Sequence, residues 1–133
     1  MLSKETMFDP ILEVSTNFAK KWFVFLEECD EDEDLPLHLI FGDFAQYIAY
    51  LINSNELNAQ IELRAIFLII EQWLIEGDKY VKDAATGFFE TLQNPDYVSV
   101  EITEKVEIYL LIESKRCWDV IHNFLINEEL DFE

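Results

Sequence analysis

The sequence predicts an all-α protein, with residues 1–133 forming a single helical domain. The domain would be either a bundle or a short solenoid-like stack of about six helices. Only 3 Gly and 3 Pro occur in 133 residues, too few for the many tight turns of a sandwich or barrel. Half of the residues are hydrophobic, enough for one core in a chain of this length. The apolar positions recur every three or four residues, which is the spacing of amphipathic helices.

The longest apolar segment predicts a central helix over residues 58–76. One arc of this helix is apolar, and it carries Leu63, Ile66, Phe67, Ile70, Trp73 and Leu74. A second apolar patch on another side consists of Ile61, Leu68 and Ile75, and Glu62 and Glu71 lie in the narrow sectors between. Because both faces are apolar, we expect neighbouring helices to cover this helix from two directions.

The chain before the central helix predicts two helices joined by an acidic loop over residues 27–35. Asp9 is a suitable cap and Pro10 suits the first helical position. The apolar stripe that follows runs as one helix to about Cys29. Pro36 opens the next helix, in which Gly42 costs about 1 kcal/mol relative to Ala and indicates close helix contact. The buried face of that helix carries Leu37, Ile40, Phe41, Phe44, Ile48, Leu51 and Ile52.

Three further helices follow the central one. Gly77 predicts a left-handed end of the central helix, and Asp78 predicts the start of the next helix. The buried face of that next helix carries Val81, Ala84, Ala85, Phe88 and Leu92. Residues 97–103 leave strand, loop and helix open, and we favour a loop that leads into a fifth helix. Ser114 can cap the sixth helix, with a stripe of Cys117, Trp118, Ile121, Phe124 and Leu125. Residues 127–133 are mostly acidic and predict a frayed tail.

The charge is the strongest compositional feature of the chain. There are 28 Asp and Glu against 9 Lys and Arg, a formal net charge of −19. Nucleic acid and anionic membranes would repel such a surface, whereas a basic protein partner would be attracted to it. A solubilising segment is the alternative that stays open. The partner-binding residues that we predict form one run: Glu27, Glu28, Asp30, Glu31, Asp32, Glu33 and Asp34.

Motifs for metals, cofactors or catalysis do not emerge from the sequence. An EF-hand loop that began at Asp30 would need Gly and Glu where Leu35 and Phe41 stand. The two Cys and two His lack the spacing of a zinc site, so we expect Cys29 and Cys117 to be buried thiols. There is no glycine-rich phosphate-binding motif and no nucleophile beside a base. We therefore expect no cofactor, no metal and no enzymatic activity.

Membranes and nucleic acids are not expected partners. No apolar run approaches the ~18 residues that span a bilayer, and the N-terminus lacks the apolar segment of a signal peptide, so we expect a soluble cytoplasmic protein. The basic doublets are outnumbered by nearby acids. Trp22, Trp73 and Trp118 fall at helical core spacing, which favours core packing over base stacking.

The last third of the chain resembles a known class of proteins. The segments that carry the resemblance are FFETLQN at residues 88–94 and LLIESKRCW at residues 110–118. They are similar to small helical bacterial immunity proteins, the partners of polymorphic or contact-dependent toxins. In those proteins a phrase of the type gfLedLqN precedes a Ser-x-x-x-Trp helix start. The resemblance implies a bacterial inhibitor without catalytic residues, which occludes a toxin domain.

Two hypotheses of function follow. The first is an immunity or antitoxin-type protein that neutralises a cognate toxin with a basic active-site surface, such as a nuclease. The second is a helical scaffold or adaptor that binds a peptide or helix in an apolar groove. Its basis is the aromatic content of 11 Phe, 5 Tyr and 3 Trp, and a large exposed apolar patch would favour it. An enzyme would require a deep pocket that holds two perturbed acids.

Overall fold

A computed structural model describes residues 2–28 and 36–131, apart from the side chains at positions 26, 28 and 127–131. Within these ranges the protein is a bundle of α-helices, so the predicted fold class is confirmed. A short 3-10 helix, Glu107–Tyr109, precedes the last of them. The helices are α1 (Asp9–Val14), α2 (Thr16–Glu28), α3 (Leu37–Asn53), α4 (Leu57–Glu76), α5 (Lys79–Leu92), α6 (Val100–Val106) and α7 (Ile112–Asp131).

Helix α4 is the central element, as its apolar pattern predicts. It packs against α1, α3, α5 and α7. Five of the six residues of the predicted arc are fully buried, and Leu74 is partly buried. The second patch differs from expectation, because Ile61, Leu68 and Ile75 are 58%, 51% and 53% exposed. The neighbouring helices cover the first arc and its flanks only, so one side of α4 faces outward.

The predicted first helix is interrupted at Ser15. This residue leaves helical geometry (φ −122°, ψ 74°), is fully buried, and donates from its hydroxyl to Glu62 Oε2 at 3.1 Å. The break separates α1, which packs on α4, from α2, which packs on α3. Helix α1 also starts differently from expectation, because Phe8 occupies the cap position and Asp9 is the first helical residue.

The residues before α1 belong to the core. Met7 and Phe8 are buried, and the Phe8 ring lies 4.6 Å from the Trp22 ring and 5.5 Å from the Trp73 ring, between centroids. The indole nitrogen of Trp73 donates to the Met7 carbonyl at 2.9 Å. Two isolated apolar residues show no periodicity, so the sequence pattern did not indicate this role.

Gly77 ends α4 in an extended conformation (φ −72°, ψ 152°), so the predicted left-handed cap is wrong. The flanking backbone pairs with Leu2, which donates to the Glu76 carbonyl and accepts from the Asp78 amide, both at 2.9 Å. Space, not backbone angle, requires glycine here. A Cβ would collide with the Trp73 carbonyl oxygen and lie 2.6 Å from Val81 Cγ1.

Gly77→Ala is therefore expected to lower the free energy of unfolding by about 1–3 kcal/mol through overpacking. Urea unfolding at equilibrium measures the effect. Gly87→Ala is the matched control, because a Cβ at Gly87 meets nothing within 4 Å. The control should stabilise α5 by about 0.5–1 kcal/mol. Equal midpoints for the two variants would contradict the packing at Gly77.

The helix starts in the second half of the chain agree with prediction in two cases of three. The Asp78 carboxylate caps α5 by accepting from the Val81 amide at 3.0 Å. Residues 97–103 form a turn and then α6, which Ser99 caps. Ser114 is no cap, because α7 begins two residues earlier. Phe124, expected on the buried stripe, is 61% exposed, whereas Trp22, Trp73 and Trp118 are buried as predicted.

Candidate functional site

The acidic run begins in the last turn of α2 and continues along the sequence toward α3. Glu27 is exposed in the last turn of α2, which contains no basic residue, and the α2 backbone extends to Glu28. Carboxylates at this helix end face the negative end of the macrodipole and are locally unfavourable. The other predicted binding residues, Asp30, Glu31, Asp32, Glu33 and Asp34, lie outside the described residues, as does Cys29.

A groove lies between α3 and α5, and α3 is the helix that follows the acidic run in the sequence. Its volume is about 460 Å³, and its α3 side is formed by Leu37, His38 and Phe41, one to five residues beyond Pro36. One face of α5 forms the other side. Asp83 and Glu90 stand there seven residues apart, with small residues between them. We call this feature the α3–α5 groove.

Glu71 is a buried carboxylate that caps α7 from another helix. It is 5% exposed. Its Oε1 accepts from the Ser114 amide at 2.7 Å and from the Ser114 hydroxyl at 2.8 Å. Its Oε2 accepts from the Glu113 amide at 3.0 Å. These amides lie in the first turn of α7, where the helix dipole is positive. Both carboxylate oxygens of Glu71 therefore have a structural role, which is to cap α7.

A second carboxylate, Glu62 of α4, links Ser15 at the end of α1 to α3. It accepts from the Ser15 hydroxyl and from the Tyr47 hydroxyl. Burial, together with the adjacent Glu62 carboxylate, raises the pKa of Tyr47 well above its ordinary value. Both hydrogen bonds hold helices together, so this cluster is a structural contact between three helices.

Tyr47 also gives a prediction about alkaline stability. Because the folded pKa is raised above the unfolded pKa of about 10, its stabilising contribution is complete below pH 10 and is lost as the pH rises above 10. Tyr47→Phe should lower the free energy of unfolding near neutral pH by about 1–2 kcal/mol. Above pH 10 the variant should lose less stability with rising pH than the wild type does. Urea midpoints across that range measure this. The control is Tyr50→Phe, at a 67% exposed position; if it changed the pH dependence equally, the assignment would be wrong.

The remaining candidate for chemistry is Cys117, which is half-buried, less than predicted. Its sulfur lies 3.6 Å from the Thr86 hydroxyl, and burial raises the pKa of the thiol. A neutral thiol is a weak nucleophile and a weak metal ligand. Across the described ranges, no three His, Cys, Asp or Glu side chains are grouped to hold a metal ion.

The second candidate surface is the outer face of α4, which we define as Leu57, Ile61, Leu68 and Ile75. All four side chains are more than half exposed and follow one side of the helix. Beside this face the 3-10 helix packs on α4: the Tyr109 ring stacks on Phe67 with 5.8 Å between centroids, and the Arg64 guanidinium carbon lies 5.7 Å from the Tyr109 centroid. Exposed apolar patches are typical of sites at which another protein binds.

Comparison with known proteins places these surfaces in a family. No curated protein and no solved structure matches the chain. None of the helices in the described ranges is long and apolar enough to cross a membrane. A family match covers residues 10–125, from α1 into α7, and therefore includes the acidic run, the α3–α5 groove and the outer face of α4. The chain belongs to this family, described as a domain of unknown function, DUF7674.

Proposed function

We propose that the protein is a non-enzymatic, immunity-type inhibitor that binds a cognate toxin domain with a basic surface and neutralises it. The observation that carries the proposal is the acidic run, with seven carboxylates within residues 27–34. Like charges at this density repel one another, and two of them stand at the unfavourable end of α2. A partner rich in Lys and Arg would relieve this repulsion.

The proposed mechanism is electrostatic capture followed by occlusion. A nuclease active site already attracts polyanions, so the carboxylates of the run would take the positions of phosphates. A net charge of −19 steers a basic partner and raises its association rate. The bacterial, cytoplasmic setting belongs to the same proposal and rests on the resemblance of residues 88–94 and 110–118.

The helices on either side of the run support this role because both are packed into the core. In α2, the Phe18 ring lies 4.6 Å from the Phe44 ring of α3, between centroids, and Trp22 is buried. In α3, Phe41 packs on Phe88 of α5 with 5.3 Å between centroids. Anchored ends reduce the conformational entropy that a segment loses on binding.

Affinity capture tests the proposal. Tagged protein is incubated with a lysate of the cells that produce it, washed at low and then at high salt, and the retained proteins are identified and quantified. We expect one basic partner in near-equal amount, released by salt because screening weakens exposed charge pairs. A set of partners that all survive high salt, or the absence of a basic one, would contradict the inhibitor proposal.

A second candidate function, a helical adaptor, is favoured by the outer face of α4. Four apolar side chains on one side of a helix are the pattern by which a partner helix docks. Leu68→Asp distinguishes the candidates, because position 68 is half exposed and the substitution leaves the acidic run unchanged. An adaptor would lose salt-resistant partners in this variant, whereas an inhibitor that acts through the run would keep its partner.

A further inference from the structure

The α3–α5 groove has the dimensions and lining of a small binding site. Its volume of about 460 Å³ lies within the usual range of ligand pockets, about 300–1,000 Å³. Leu37 and Phe41 supply an apolar wall on α3, and Ala84 and Gly87 supply a shallow floor on α5. Neither the buried carboxylate Glu71 nor the Glu62 cluster belongs to this lining.

Gly87 keeps the floor open at the expense of helix stability. A glycine inside a helix costs about 1 kcal/mol relative to alanine. At Gly42 a Cβ would lie 2.8 Å from the Tyr97 ring, and at Gly77 it would meet Trp73 and Val81, so packing explains both. At Gly87 a Cβ would meet nothing within 4 Å. Internal packing therefore does not require glycine there, and the space beside this part of α5 is open to a ligand.

The charges at the groove select a cationic occupant. Asp83 and Glu90 are separated by seven residues of α5, about 10 Å along the helix axis. Among the described residues, Asp83 pairs with Lys79, whose side chain is 92% exposed; an exposed pair of this kind is weak and easily exchanged. Glu90 forms no ion pair with any residue in the described ranges. The acidic run ends two residues before Pro36 in the sequence, so the run and the groove both favour a basic partner.

We propose that the α3–α5 groove is a subsite for an arginine or lysine side chain of a protein partner. The aliphatic stem would lie over Gly87 against Phe41, and the charged group would meet Glu90, with Asp83 as a second negative charge nearby. Long basic side chains combine an apolar stem with a cationic head, which is the combination that this lining complements. The inference deepens the proposed inhibitor function, because it assigns to the partner an anchoring basic residue beside the acidic run.

The test uses N-acetyl-arginine amide as the probe and N-acetyl-citrulline amide as its uncharged counterpart. Both are titrated into the full-length protein labelled with ¹⁵N, and amide chemical shifts are followed by NMR. We expect saturable shifts concentrated at residues 37–41 and 83–91 with the arginine probe, and at least fivefold weaker binding of the citrulline probe. Shifts spread over the whole acidic surface, the absence of saturable shifts, or equal binding of both probes would overturn the proposal.

Two pairs of variants locate the subsite. Gly87→Met fills the groove without changing charge, and Gly87→Ala is its control. Glu90→Gln removes a carboxylate of the groove, and Glu104→Gln, at an exposed position of α6, is its control. We expect at least fivefold weaker probe binding in Gly87→Met and Glu90→Gln, and a change of less than twofold in both controls. Wild-type affinity in either groove variant would overturn the proposal, since Glu90→Gln leaves the packing of α5 intact.

The subsite and the inhibitor function fail in different ways. If Gly87→Met captures the basic partner as well as the wild type does, the groove is not its subsite although the inhibitor function stands. If no basic partner is captured while N-acetyl-arginine amide still binds at Gly87, the groove binds a basic side chain and the inhibitor function is wrong.

Discussion

Glu71→Ala is expected to lower the free energy of unfolding by about 3–5 kcal/mol. The carboxylate accepts three hydrogen bonds, from the Glu113 amide and from the Ser114 amide and hydroxyl. Hydrogen bonds to a charged group contribute about 1.5–3 kcal/mol each, and removal of the acceptor leaves buried donors without a partner. Because these donors lie in the first turn of α7, the loss of stability should be greatest in that helix.

Urea unfolding measures the effect, and hydrogen exchange locates it. Relative to the wild type, Glu71→Ala should speed the exchange of amides in the first turns of α7 more than that of amides in α3. Glu71→Gln keeps an oxygen acceptor without the charge and should fall between the wild type and Glu71→Ala. Glu76→Ala, at an exposed position of the same helix, should change stability by less than about 0.5 kcal/mol. Similar losses in Glu71→Ala and Glu76→Ala would show that the cap contributes little.

Neutralisation of the acidic run is expected to slow association with the proposed basic partner by tenfold or more. The variant combines Asp30→Asn, Glu31→Gln, Asp32→Asn, Glu33→Gln and Asp34→Asn, which changes the net charge from −19 to −14. Steering depends on the local potential that the partner meets, so the dependence of the association rate on salt should also become weaker. Stopped-flow or surface-based kinetics at several salt concentrations measures both quantities.

A variant of equal net charge separates the run from the overall field. It replaces five exposed carboxylates on other parts of the surface by Gln: Glu5, Glu13, Glu56, Glu76 and Glu104. We expect this control to associate at nearly the wild-type rate. If both variants slow association equally, the overall charge accounts for steering and the acidic run has no special role.

The fold class and the core faces of the major helices were predictable from periodicity. The apolar spacing located α3, α4 and α5, and the local pattern at Asp78 located one cap. The start of α7 was not predictable, because Glu71 and Ser114 lie 43 residues apart in the chain. The conformation of Gly77 depends on Leu2, which local sequence does not reveal. The apolar spacing assigns Leu68 to one face of α4, but it does not show whether a neighbouring helix covers that face.

The candidate binding surfaces differ in how far the sequence indicates them. Charge density alone identified the acidic run. The α3–α5 groove was not predictable, because Phe41 and Gly87 come from helices that are far apart in sequence and meet only in the folded chain. Gly87 was a weak signal, since glycine inside a helix has several causes. Its significance rests on the open space around it.

Growth of cells that express the captured basic partner tests the central claim most directly. We predict that the partner alone arrests growth, that co-expression of the wild-type protein restores it, and that the two proteins purify as a complex with equal amounts of each. The variant with the neutralised acidic run should restore growth less well at the same expression level. The inhibitor function would be contradicted if the partner did not arrest growth. It would also be contradicted if the partner arrested growth to the same extent with and without an excess of this protein.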